Sequence, residues 1–185
     1  PSFSRVVARD PASIADMFQR GRNLLDEVER VTAASDSGAV GQEWLRAKLG
    51  FGDSSVRKPT ENLEKGNDLL REVLILAPEM DDARIYLGHA HHVAGDRHAA
   101  RVQFRDVLTR TGDVNTRGFA LLNVGIVQLV SGEFADDVLV FLELVYSGAV
   151  GSCPHLGLAY FFLALACAMQ ERFEDSARWL VRLYE

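Results

Sequence analysis

Basic residues are missing where a nucleic-acid binder needs them. No Lys or Arg lies between Arg117 and Arg172, and no basic run occurs elsewhere. Nucleic-acid phosphates and anionic membrane surfaces both demand clustered Lys and Arg, so neither is expected as a partner. The net charge of −6 has the same lean. Residues 1–78 hold 11 Lys/Arg against 12 Asp/Glu, whereas residues 79–185 hold 9 against 14, so the C-terminal part is the acidic one.

Cysteine is scarce too. Cys153 and Cys167 are the only two, too few for a disulfide framework, which predicts free thiols in a reducing, cytoplasmic setting. The chain starts at Pro1 without an initiator Met or a signal segment and reads as a fragment or processed piece. Long apolar runs are limited to one. Residues 144–170 carry no charge, and Leu156–Met169 is apolar without a break, but 14 residues fall short of the roughly 20 needed to span a bilayer. A buried helix is expected there instead, with no membrane span.

Motifs of catalysis are also absent. The chain has no nucleophile elbow, phosphate loop, dinucleotide fingerprint or HExxH helix. Asp136-Asp137 and Glu174-Asp175 are adjacent carboxylates that point apart on a helix and read as solvated faces. His89 and His92 have the three-residue spacing that can chelate a metal, but no third ligand is apparent. With His91 and His98 they read as solvated or hydrogen-bonded histidines. Cys153-Pro154-His155 lacks the electropositive setting that activates a thiol. The expectation is no enzyme, no catalytic residue, no metal and no cofactor.

What is present is helical periodicity bounded by turn signals. Asp10-Pro11 starts a helix over 11–34, in which Ile14, Met17, Phe18, Leu24, Leu25, Val28 and Val31 form one stripe and Gly21 is a weak point. A short helix over 40–49 carries Trp44, Leu45 and Leu49. A polar linker over 51–60 ends with Thr60 as N-cap for a helix over 61–76, which Pro78 stops. Helices then follow in pairs: 81–94 and 97–110, 115–130 and 134–146, 155–169 and 173–184. No alternating pattern competes for strand status. Residues 1–58 are read as an N-terminal helical lead-in and linker, and 59–185 as a repeat domain with hairpins at about 81–112, 115–146 and 155–184.

The pairs repeat. Gly88, Gly125 and Ala164 fall at one position, 37 and 39 residues apart, and seven residues later come Gly95, Gly132 and Glu171. In the first hairpin Ala100 and Phe104 follow as a small and a large packing residue. The second keeps Phe141 with Asp137 at the small position, and the third has Ser176 and Leu180. This pattern resembles the tetratricopeptide-repeat superfamily, about three units over 81–185. The resemblance implies an all-α, right-handed solenoid of helical hairpins, here preceded by N-terminal amphipathic helices. It also implies a concave surface made by the first helix of each pair. Those positions are Ile85, Tyr86, His89 and His92; then Leu122, Asn123, Ile126 and Leu129; then Phe161, Phe162, Leu165 and Met169.

Within that surface Tyr86, His89, Leu122, Asn123, Ile126, Phe161, Phe162 and Leu165 are the expected partner contacts, with Asn123 able to clamp a backbone amide. The absence of Lys and Arg from 118 to 171 argues against a carboxylate clamp, and an apolar groove suits a peptide or an amphipathic helix. The expected function is a protein–protein interaction module acting as scaffold, adaptor or chaperone. Two alternatives remain open: self-association through helix 11–34 or the apolar end of helix 173–184, and a regulatory segment of a larger protein. The partner is accordingly another protein or a second copy of the chain.

Overall fold

The computed structural model describes residues 10–34, 61–132, 134–146 and 156–184. Among these residues the chain is all-α, with eight helices and no strand. In order they are α1 (Pro11–Ala34), α2 (Glu61–Leu76), α3 (Asp81–Val93), α4 (Arg97–Arg110), α5 (Val114–Ser131), α6 (Phe134–Tyr146), α7 (Leu156–Met169) and α8 (Phe173–Tyr184). The expected helix at 40–49 with Trp44, the linker at 51–60 and the Cys153-Pro154-His155 segment lie outside the described residues. None of the described helices is long and apolar enough to cross a membrane.

Local chemistry sets the helix ends. Asp96 accepts the Ala99 amide at 2.9 Å to open α4, and Asp113 accepts the Thr116 amide at 2.7 Å to open α5. Hydrogen bonds from the Thr116 amide and hydroxyl, with a lesser one from the Asn115 amide, hold the Asp113 carboxyl below its ordinary range, since they favour the ionised acceptor. Within each hairpin the turn uses a left-handed residue: Gly95 at φ +85°, Gly132 at φ +78° and Glu171 at φ +59°. These are the three residues that the 37- and 39-residue offsets align. Glycine adopts this conformation freely, while an L-residue gives up about 1 kcal/mol there, so Glu171→Gly is expected to raise the melting temperature by about 2–4 °C in a thermal melt.

Each helix packs on its neighbours in sequence, and the first members of the pairs also touch along the row, α1 on α3, α3 on α5 and α5 on α7. Three apolar clusters result. Met17, Leu25 and Val28 of α1 join Leu63, Leu70 and Val73 of α2 and Ala83, Leu87 and Ala90 of α3. Ile85 of α3 faces the other way, into a second cluster with Ala100, Phe104 and Val107 of α4 and Ala120, Val124 and Val127 of α5. The remaining apolar side of α5, with Leu121, Leu122, Ile126 and Leu129, enters a third with Phe141 and Leu144 of α6 and Phe162, Leu163 and Ala166 of α7. α3 and α5 thus each serve two cores. α1 belongs to the same packing unit as α2 and α3.

The closest approaches repeat as well. A Cβ on Gly88 would lie 2.6 Å from the Phe104 ring, and one on Gly125 would lie 2.5 Å from the Phe141 ring. The two phenylalanines, like the two glycines, are 37 residues apart, so the same ring-over-glycine contact joins α3 to α4 and α5 to α6. The third hairpin has Ala164 and Leu180 at these places, and Leu180 remains 39% exposed. A Cβ on residue 164 takes the place of the slot that holds a ring in the other two hairpins.

Gly21 has a different role from the one its helix propensity suggests. Its Cβ would come within 3.2 Å of Leu70, while that of Gly66 would meet Leu25 at 3.1 Å. Since 21 pairs with 70 and 25 with 66, α1 and α2 run antiparallel with small residues at their crossing. Gly21 is the contact point of α1 rather than its weak point. A polar clamp supports the next junction: Arg84 pairs with Asp106 at 2.9 Å, and Arg84 and Arg110 both donate to the Pro78 carbonyl, at 2.7 and 2.6 Å. It ties the α2–α3 turn to α4.

Candidate functional site

The first helices form a continuous row, and their side chains divide by burial. On α3, Tyr86 and His89 are partly exposed. Tyr86 stands edge-on to Phe18 of α1, with ring centroids 5.8 Å apart, and the Arg22 guanidinium sits 5.3 Å from its ring centroid. His89 meets Phe104 edge-on at 5.5 Å and lies 5.8 Å from Phe119 of α5. An aromatic series, Phe18, Tyr86, His89 and Phe119, therefore links α1, α3 and α5.

The α5 residues behave otherwise. Residues 121–129 are buried without a break, and Leu122, Asn123 and Ile126 are among them. In this conformation they are core rather than surface. The Asn123 Nδ2 donates to the Phe119 carbonyl one turn back at 2.7 Å, so part of its hydrogen-bonding capacity is spent inside its own helix. Gln128, also buried, lies on the same helix.

On α7 the expected contacts split. Phe162 is 0% exposed and stacks on Phe141 at 5.8 Å, with Phe161 edge-on to it at 5.4 Å. Phe161 and Leu165 are partly exposed, and Leu158 and Met169 continue their stripe at i, i+3, i+7 and i+11. Of the eight expected contacts, Tyr86, His89, Phe161 and Leu165 retain access, while Leu122, Asn123, Ile126 and Phe162 are committed to packing. The physical reason is the double duty of the first helices: α5 and α7 each bury one side against the preceding pair and another against their own second helix.

Among the described residues, no group of three or more His, Cys, Asp or Glu is placed to hold a metal ion. Burial pushes the Cys167 thiol up from its ordinary value, chiefly by penalising the thiolate, which leaves it a small apolar residue. Burial likewise pulls His91 down, with Arg71 adding to the effect and Asp96 opposing it.

One feature escaped the sequence reading. A cleft of about 650 Å³ opens between α6, α7 and α8, lined by Val145, Tyr160, Asp175, Arg178, Trp179, Val181 and Arg182. Tyr160 and Trp179 stack at its wall with centroids 6.0 Å apart, and Asp175 bonds Arg172 at 2.7 Å and Arg178 at 3.2 Å. Its charges are largely matched internally. The i, i+3, i+4 and i+7 spacing of Asp175, Arg178, Trp179 and Arg182 was the available signal. No protein-family model matches the chain, and comparison with curated proteins gives no significant match.

Proposed function

We propose that the chain is a tetratricopeptide-like, right-handed helical-repeat module that binds an apolar peptide or amphipathic helix along its first helices. It acts as a scaffold, adaptor or chaperone, by binding and without turnover, in a reducing cytoplasmic setting. The observation that carries this reading is the recurrence of one hairpin geometry. Gly88 under Phe104 and Gly125 under Phe141, each pair bracketing a left-handed turn, repeat at the same interval, and the first helices touch in a row. Such stacking builds one extended face from short units, which is the use that repeat proteins make of it.

Burial moves the centre of that face. Asn123 and Ile126 give way to the partly exposed stripe Leu158, Phe161, Leu165 and Met169 on α7, with Tyr86 and His89 at the far end of the row. An uncharged stripe at i, i+3, i+7 and i+11 suits the apolar side of a partner helix. The test is affinity capture from native lysate with the chain and with Phe161→Asp/Leu165→Asp. The double variant is expected to keep its helical circular dichroism and to lose the captured protein by tenfold or more. Equal capture by a folded double variant would remove this surface from the reading.

A further inference from the structure

The outer side of α8 carries a stripe that nothing in the described chain covers. Ser176, Trp179 and Leu183 turn towards α7: Ser176 is buried, Trp179 stacks on Tyr160, and the Leu183 methyl lies 3.4 Å from where a Gly157 Cβ would be. Phe173, Ala177, Leu180 and Tyr184 recur at i, i+4, i+7 and i+11 on the adjoining side, with Val181 beside them. Exposure is 68% for Phe173, 39% for Leu180, 59% for Val181 and 88% for Tyr184, on a helix whose other side is charged. Apolar residues scattered singly over a surface need no explanation, but a continuous stripe of this kind does.

We infer that α8 pairs with α8 of a second copy, antiparallel about a two-fold axis level with residues 178 and 179. Three features favour a second copy as the occupant. The first is size complementarity under that operator. Residues whose numbers sum to 357 face each other, so Ala177 meets Leu180 of the other copy, small against large, and Phe173 meets Tyr184, ring against ring. Both contacts then recur by symmetry, as an isologous interface requires.

The second feature is charge. Glu174 and Asp175 stand in the first turn of α8 and Arg182 in the last. Antiparallel pairing sets the acidic, positive-dipole end of each helix level with the basic, negative-dipole end of the other, whereas parallel pairing aligns the dipoles and sets like ends level. The third is area. The four large apolar residues and Ala177 offer roughly 500–600 Å² per copy, or about 1,100 Å² in total, which clears the roughly 1,000 Å² of a specific but modest interface. The pairing uses neither Tyr86 nor Phe161 and does not rest on the peptide-binding reading.

Light scattering with sedimentation of the 185-residue chain, from micromolar to submillimolar concentration, tests this. The mass is expected to rise to twice that of the chain as concentration increases. Ala177→Arg, at an exposed position, and Leu180→Arg are each expected to raise the dissociation constant at least tenfold with circular dichroism unchanged. Register is read separately, in a Cys153→Ser background. An equimolar mixture of Ala177→Cys and Leu180→Cys chains should form the mixed disulfide dimer several-fold faster than either forms its own. A chain that stays monomeric throughout, a dimer indifferent to both arginines, or no preference for the mixed disulfide each overturns the pairing.

Discussion

Gly125→Ala is expected to lower the melting temperature by about 4–10 °C, a loss of roughly 2–3 kcal/mol. In an open helix the same change would help, since alanine gains nearly 1 kcal/mol over glycine. Here the added methyl lands 2.5 Å from two atoms of the Phe141 ring, and Phe141 is fully buried with Phe162 stacked behind it. The ring can yield only by displacing its buried neighbours, Phe162 among them, so overpacking outweighs the propensity gain. Gly88→Ala should behave in the same way, with Phe104 at 2.6 Å. Adding Phe141→Leu to Gly125→Ala should recover part of the loss, because that double change recreates the Ala164 and Leu180 combination of the third hairpin. A differential scanning calorimetry trace for Gly125→Ala within a degree of the parent would show that the helices separate more easily than the packing indicates.

Phe162→Asp is expected to unfold the α5–α8 half of the molecule. The side chain is 0% exposed between Phe141 and Phe161, with no described cation beside it. Replacing it removes a buried aromatic, worth about 3–5 kcal/mol, and adds the desolvation of a carboxylate. That sum rivals the whole stability of a domain. Leu165→Asp, one turn further along the same helix and partly exposed, should cost no more than about 1 kcal/mol. Circular dichroism and urea titration of the two variants side by side separate a packing residue from a surface residue. Retention of native helicity by Phe162→Asp would place Phe162 on an accessible face.

Helix positions and turns were legible in the sequence because they depend on residues close in the chain. Asp96 and Asp113 cap helices three residues ahead, and Gly95 and Gly132 close turns through backbone preference. The 37-residue recurrence of Gly and Phe could be read because ring and slot belong to one hairpin. The antiparallel meeting of Gly21 with Gly66 could not, since glycine within a helix signals only a propensity cost until its neighbour is known.

Burial was decided only by the tertiary structure. α5 and α7 are apolar around most of their circumference, so their sequences carry no phase to say which side faces a core and which faces outward. Stacking resolved it, giving α5 a core on each side and leaving α7 a stripe through Leu158, Phe161, Leu165 and Met169. α8 is the opposite case. Its polar side is plain from the sequence, but the apolar arc is wide enough for two neighbours, and packing on α7 uses only the part through Ser176, Trp179 and Leu183. The sequence by itself determined a set of paired helices with repeating contacts. Which apolar residues are spent on that stack, and which remain exposed, depends on residues far apart in the chain, and only the assembled fold brings them together.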